Sequence, residues 1–166
     1  MQNAPGVRRF ALTLAAAAIF IIWTGASLPD IVASHFAAGG AANGRMPRTV
    51  YLPLILLLTI GLPALSVFAS WHALGRPGAR INLPHADHWL DPQRRVQTLA
   101  DTRAALLRFC TALLLFLCYA HWLVVRANRS VPVRLDESGF LGGLAVFLLV
   151  TGAGTWRFLR RFRRIA

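Results

Sequence analysis

The chain has 166 residues, of which 56% are hydrophobic and 14% are charged, and all 18 of its basic residues are arginine. This composition is too apolar for a soluble domain of this length and is typical of a membrane protein. A net charge of +12 would suggest nucleic-acid binding in a soluble protein. Because the arginines here border apolar segments, we interpret them as determinants of membrane topology and expect no nucleic-acid partner.

Four apolar segments follow one another along the chain, at 10–28, 50–71, 104–125 and 139–156. Each has about 18 to 22 residues, which at a rise of about 1.5 Å per residue is enough to cross a bilayer core of roughly 30 Å. The sequence therefore predicts an all-α membrane protein, with a single membrane domain over residues 1–166 and four transmembrane helices. The first segment is longer than the apolar core of a signal peptide, so we expect it to be retained as a span.

The distribution of arginine predicts the orientation of these helices. Thirteen arginines flank the spans on the side of the two termini and the middle loop, whereas five lie in the first and third loops. The positive-inside rule then predicts a multi-pass protein of a bacterial inner membrane with both termini cytoplasmic. The C-terminal sequence RFLRRFRR predicts contact with anionic lipid head groups of the bilayer.

The first loop, residues 28–48, is polar and rich in glycine and is predicted to face outward. Pro29 suits the first turn of a helix, and Asp30 is favourable beside a helix N-terminus. Gly39 or Gly40 can end such a helix in a left-handed conformation. The loop is therefore predicted to form a short interfacial helix that ends in a glycine turn.

A histidine on this predicted helix, His35, is the first candidate for a functional role in the outer loop. A single histidine at a membrane interface usually serves as an anchor or a hydrogen-bonding group. The alternative is a ligand or proton site that His35 forms with Asp30. The candidate functional residues of the outer loop are Pro29, Asp30, His35, Phe36, Gly39 and Gly40.

The middle loop contains the sequence PHADHWLDP, the densest set of potential metal ligands in the chain. Its candidate residues are His85, Asp87, His88, Trp89 and Asp91. Histidine and carboxylate groups bind zinc and similar ions, but a site needs three or four converging ligands, so metal binding stays an open question. In the other interpretation His85 and Asp87 are solvated, Trp89 anchors the loop at the membrane interface, and Asp91 caps the following helix.

Local signals in the later spans predict three further features. Asp91 is a good N-cap and Pro92 suits the first helical position, so the third helix is predicted to begin as a cytoplasmic extension of the span. Pro63 predicts a kink in the second helix. Gly139 and Gly143 are spaced for close packing, which we expect to occur within the bundle.

No arrangement of residues in the sequence indicates a catalytic site or a cofactor. His72 and His121 fall at opposite ends of their spans, so they cannot be the two axial ligands of one haem. The sequence has no nucleophile–base pair or phosphate-binding loop, and no acidic residue lies within the four spans. We therefore predict no cofactor, no enzymatic activity and no proton-coupled transport by this chain alone.

Two segments resemble a known bacterial family. The pattern LPDIVASHF, followed by a glycine-rich turn, and the segment NLPHADHWLDPQRR are similar to the domain of unknown function at the N-terminus of membrane proteins of the sporulation-delaying-toxin immunity type. The resemblance covers 23–71 and 82–103. The chain departs from the family pattern at Ala37, where asparagine is frequent, and at Asn43, where an acidic residue is frequent.

These observations lead to one main hypothesis and two alternatives. The main hypothesis is a non-enzymatic membrane protein that acts through its outer loop and bundle in immunity, sensing or assembly with a protein partner. The first alternative is a metal-dependent membrane enzyme or factor that uses the middle-loop cluster of histidine and aspartate. The second alternative is a subunit of a transporter whose partner supplies the acidic or nucleotide-binding residues.

Overall fold

The computed structural model describes residues 4–76, 78 and 81–163 of the chain. Helices dominate it, and two short strands lie between the first two long helices. The elements are α1 (Ala4–Gly25), β1 (Ile31–Phe36), β2 (Ala42–Pro47), α2 (Arg48–Leu56), a π-helical segment (Leu57–Gly61), α3 (Leu62–Gly75), α4 (Ala86–Trp89), α5 (Pro92–Asn128) and α6 (Glu137–Phe162). Because α2, the π-helical segment and α3 follow without a break, they form one continuous helical span.

Four helical spans are long and apolar enough to cross a membrane. They are Pro5–Gly25, Arg48–Gly75, Pro92–Asn128 and Glu137–Phe162. Each includes most of one of the four predicted segments, which confirms the prediction of an α-helical protein with four candidate membrane spans. We call the end of the bundle where α1 begins and α6 ends the basic end, and the opposite end the hairpin end.

The third span is a single helix of 37 residues. It begins where the sequence predicted, because the side chain of Asp91 accepts a hydrogen bond from the backbone amide of Gln93 at 3.0 Å and Pro92 occupies the first turn. The helix therefore extends well beyond the apolar segment at its N-terminal end. It is also the central helix of the bundle, packing against α1, α3 and α6.

Helix α6 packs against α5 through its glycines. A Cβ atom on Gly143 would collide with the ring of Tyr119, and the hydroxyl of Tyr119 donates a hydrogen bond to the carbonyl of Gly139 at 2.8 Å. The two glycines thus seat an aromatic side chain of a neighbouring helix, as expected for small residues in membrane bundles. This contact lies within the bundle, in agreement with the prediction.

The second span changes its helical geometry directly before Pro63. Residues Leu57–Gly61 are π-helical. Proline has no N–H group, and its ring clashes with the carbonyl four residues earlier, which here belongs to Thr59. A wider turn accommodates that clash, so the irregularity lies where the sequence predicted a kink.

The first loop forms an antiparallel β-hairpin, so the prediction of a short interfacial helix was wrong. Strand β1 pairs with β2, and Val32 lies opposite Met46. Gly39 and Gly40 have left-handed φ angles of 81° and 79°. Glycine was expected to take this conformation, but here it connects two strands and does not end a helix.

The prediction failed because it used only local signals. Pro29 and Asp30 favour the start of a helix, but the β-branched Ile31 and Val32 that follow favour a strand, and the whole segment 31–36 finds a partner at 42–47. Pairing across the hairpin satisfies backbone groups that a helix of one or two turns would leave without partners at both of its ends.

Candidate functional site

The hairpin is held to the end of α5 by one side chain, that of Asn128. Its Oδ1 atom accepts a hydrogen bond from the amide of Ala33 at 2.8 Å, and its Nδ2 atom donates to the carbonyl of Ala33 at 2.9 Å. The same Nδ2 atom also donates to the carbonyl of Val124 within α5, at 2.9 Å. Ala33 is only 2% exposed, so water does not satisfy its backbone N–H and C=O groups. The side chain of Asn128 satisfies them instead, at the edge of β1 where a further strand would otherwise pair.

A second set of bonds holds the glycine turn to the segment between α5 and α6. The amide of Gly39 donates to Oε2 of Glu137 at 2.8 Å, and Nε of Arg134 donates to the carbonyl of Gly39 at 2.7 Å. The amide of Leu135 donates to the carbonyl of Gly40 at 2.8 Å. A Cβ atom on Gly40 would collide with the carbonyl oxygen of Leu135, so this close approach requires glycine in addition to the left-handed φ.

A third set of bonds fixes the base of the hairpin. Arg48, the first residue of α2, donates to the carbonyl of Leu28 at 2.7 Å and forms an ion pair with Oδ1 of Asp30 at 3.0 Å. The backbone amide of Arg48 also donates to the carbonyl of Asp30 at 2.8 Å. On the other side, Arg129 donates to the hydroxyl of Ser27. We use the name clamp for Asn128 together with the bonds at the glycine turn and the bonds at the base of the hairpin.

The inner face of the hairpin packs against the helices at the hairpin end of the bundle. Val32 is fully buried and packs in one apolar cluster with Leu28, Tyr51 and Val125. Strand β1 therefore rests on side chains of α2 and α5. The apolar contact acts on one face of β1, and Asn128 binds the edge of β1 that does not pair with β2, so together they orient the hairpin relative to the helices.

Below this apolar layer lies a buried polar cluster centred on His121, which is 1% exposed. Its Nδ1 atom is 2.9 Å from the hydroxyl of Tyr51, and its Nε2 atom is 3.0 Å from Oγ1 of Thr24. The imidazole ring also stacks against the ring of Tyr51, with 5.8 Å between the ring centroids. The cluster thus joins α1, α2 and α5 at one depth in the bundle.

The hydrogen bonds indicate the tautomer of His121. The hydroxyl of Thr24 donates its one proton to the carbonyl of Phe20, at 2.6 Å, so its oxygen accepts from Nε2–H of the histidine. In the neutral imidazole Nδ1 then carries the lone pair and accepts from the hydroxyl of Tyr51. Every polar group of the cluster has a partner in this arrangement, and a neutral histidine fully bonded in this way connects three helices.

Asp30 and His35, which the sequence suggested as a joint ligand or proton site, have separate partners. Asp30 is paired with Arg48, whereas Nδ1 of His35 lies 3.0 Å from Oγ of Ser34. Among the described residues, no hydrogen bond or ion pair joins the two. His35 is exposed, and its side chain packs over Gly44, where an added Cβ atom would be 3.0 Å from the Cβ atom of His35.

The remaining candidates of the outer loop have simple positions. Pro29 is exposed at the bend that leads into β1. Phe36 is half-buried and lines a cavity of about 360 Å³ between the hairpin, α5 and α6. Glu137 lines the same cavity, and its Oε2 atom accepts the hydrogen bond from the amide of Gly39.

The candidates of the middle loop do not converge on one point. His85 precedes α4 in a left-handed conformation, Asp87 is exposed, and His88 packs edge-on against Trp89 at a centroid distance of 4.9 Å. Within residues 4–76, 78 and 81–163, no group of three or more histidine, cysteine or acidic side chains is arranged to hold a metal ion. Asp91 acts as the predicted helix cap.

Trp89 has a structural contact that its position in the sequence did not indicate. Its Nε1 atom donates to the carbonyl of Phe162 at 3.0 Å, and the two rings pack edge to face with their centroids 5.3 Å apart. The hydroxyl of Thr98 donates to the carbonyl of Trp89 at 2.8 Å. The tryptophan therefore connects the middle loop to the end of α6 and to α5.

Sequence reasoning singled out Asp30, Gly39 and Gly40, but it missed their partners in the clamp and the residues of the buried cluster. His121 was considered only as a haem ligand, and Asn128 was not singled out. The one available signal was a polar residue on an otherwise apolar span. Their partners cannot be found from local spacing, because Asn128 is 95 residues from Ala33 and His121 is 97 residues from Thr24.

Comparison of the chain with protein-family models, with curated proteins and with solved structures gives no match. The resemblance to membrane proteins of the sporulation-delaying-toxin immunity type thus stays a prediction based on the two sequence segments.

Proposed function

We propose that this chain is a non-enzymatic, multi-pass protein of a bacterial inner membrane, with both termini cytoplasmic, and that it binds a protein partner through the outer surface of its hairpin. The observation that carries the proposal is the clamp. A loop that only connected two spans would not need Asn128, Arg134, Glu137 and Arg48 to hold its backbone. A surface that is ordered before binding loses less conformational entropy when a partner arrives.

The chemistry of the exposed surface fits a polar recognition site. His35 on β1 and the strand β2 residues Asn43 and Arg45 are exposed at the hairpin end. Arg45 has no hydrogen bond or ion pair to any described residue, so its guanidinium is available to a partner carboxylate or carbonyl group. One of the two segments that resemble immunity-type membrane proteins, LPDIVASHF with its glycine-rich turn, falls on this same hairpin.

The orientation can be tested with single cysteines. In a background in which Cys110 and Cys118 are replaced by alanine, we expect a cysteine at Asn43 to react with a membrane-impermeant maleimide in intact cells. A cysteine at Asp87 should react only after the membrane is permeabilised. The reverse pattern would contradict the proposed orientation.

Partner binding can be tested by photocrosslinking in cells. A photoreactive amino acid at Asn43 or Arg45 is expected to give the same discrete protein adduct at both positions. The matched controls are Leu65 and Phe68, which are 63% and 71% exposed on α3 and should face lipid. Adducts that are equal at the hairpin and α3 positions, or absent from both hairpin positions, would rule out the hairpin as the binding surface.

A further inference from the structure

A groove runs between α5 and α6 at the basic end of the bundle, far from the hairpin. It encloses about 770 Å³. Its walls are apolar or small, with Phe109, Ala112, Val150 and Gly154 among them. A Cβ atom built on Gly154 meets no atom within 4 Å, so the protein leaves this part of the groove unfilled.

The mouth of the groove is charged. Asp101 of α5 and Arg161 of α6 form an ion pair across it, with 2.7 Å between Oδ2 and Nη1. Two more arginines line the groove, Arg108 and Arg157, and both are exposed. Neither has a hydrogen bond or ion pair to any described residue. The Asp101–Arg161 pair neutralises itself, which leaves two cations without an anion.

The two unpaired arginines lie at similar depths. The ion pair puts Asp101 and Arg161 at one level, and the helices are antiparallel. Arg157 is four residues further in along α6, about 6 Å, and Arg108 is seven residues further in along α5, about 10 Å. Both arginines line the same groove, and both side chains are long enough to reach a phosphate placed between the two helices.

We propose that the α5–α6 groove binds one anionic phospholipid, with its phosphate between Arg108 and Arg157 and an acyl chain along the apolar walls. The dimensions favour a lipid over a soluble anion. The groove extends from the level of Asp101 to that of Ala112, eleven residues or about 16 Å of helix, which is close to half of a bilayer core of roughly 30 Å. Guanidinium groups bind phosphate with paired, charge-assisted hydrogen bonds.

This site differs from a general attraction of the basic C-terminus to the membrane surface. Diffuse attraction depends on the number of arginines near the head groups, whereas the groove depends on two particular arginines and on the space beside Gly154. The proposal requires only that the four helices span a bilayer. It does not depend on the orientation of the chain or on a partner at the hairpin, so its failure would leave the proposed function untouched.

The test is lipid binding to the purified full-length protein in a mild detergent, measured by native mass spectrometry. Phosphatidylglycerol is compared with phosphatidylcholine of the same acyl chains. We expect phosphatidylglycerol to be preferred, and the variant R108Q/R157Q to bind it about 25-fold less tightly, at about fivefold for each arginine. The matched control R94Q/R160Q removes two exposed arginines near the same end that lie outside the groove, and should lose less than threefold.

Two further measurements separate the head group from the chain. Gly154→Leu keeps both arginines and fills the groove, so we expect at least a fivefold loss of phosphatidylglycerol binding. Glycerol phosphate, which lacks acyl chains, should not compete at concentrations where the lipid binds. Equal losses in the two arginine variants, full binding by Gly154→Leu, or competition by glycerol phosphate as strong as by the lipid would each overturn the proposal.

Discussion

Replacement of Asn128 by alanine tests whether the hairpin is held by the clamp or only by its contact with the bundle. The substitution removes the hydrogen bonds to both backbone groups of Ala33 and leaves the apolar contacts of Val32 in place. If the clamp orders the hairpin, the variant should keep its four helices and lose the protection of β1.

The size of the effect follows from the burial of Ala33, which is 2% exposed. A buried polar group left without a partner costs about 1–3 kcal/mol. Two such groups are affected here, but they lie near the end of the bundle, where water can enter the space that alanine leaves. We therefore expect the free energy of opening the hairpin to fall by about 2 kcal/mol, because water recovers part of the loss.

Amide hydrogen exchange of the reconstituted protein measures this opening directly. A loss of about 2 kcal/mol corresponds to exchange about 30-fold faster in β1, at about 1.4 kcal/mol for each factor of ten. The matched control is Asn43→Ala, which removes an exposed asparagine whose side chain makes no hydrogen bond to any described residue. If exchange in β1 changes by less than about threefold in Asn128→Ala, as we expect for the control, the reasoning is refuted.

Three other predictions test neighbouring features. Tyr51→Phe removes the donor to Nδ1 of His121 and should lower the free energy of unfolding by about 1 kcal/mol. Steric trapping in bicelles measures this free energy. No change would show that the buried cluster does not stabilise the bundle. Gly40→Ala should make the hairpin accessible to protease, because alanine clashes with the adjoining loop and strains a φ of 79°, and unaltered cleavage would contradict this. The amide of Gly139, with help from Ser138, lowers the pKa of Asp136. Asp136 is the N-cap of α6, so its carboxylate should stabilise the helix above the unfolded pKa of aspartate, and this stabilisation should be lost as the pH falls through the lower folded pKa. Amide hydrogen exchange in the first turn of α6, measured as a function of pH, should show this loss of stability. Asp136→Asn should abolish the pH dependence.

The sequence predicted the parts of the fold whose physics is local. A helix satisfies its own backbone, so a span is recognised from the length of an apolar segment, and the start of α5 from Asp91 and Pro92. The irregular turn before Pro63 follows from a clash within one helix. A left-handed conformation was expected at Gly39 or Gly40, and both glycines adopt it, since that preference belongs to glycine itself.

The candidate site depended on contacts between distant segments. A strand satisfies its backbone only with a partner, so the fate of residues 31–36 was decided by β2 and by an asparagine 95 residues away. The helix-start signals of Pro29 and Asp30 had pointed to a helix there. The sequence by itself determined four apolar helices and a biased distribution of arginine, because bilayer thickness and charge act on each segment separately. Only the tertiary structure decided the clamped hairpin, the bonding of His121 and the groove between α5 and α6, because each needs side chains that are remote in sequence to meet in space.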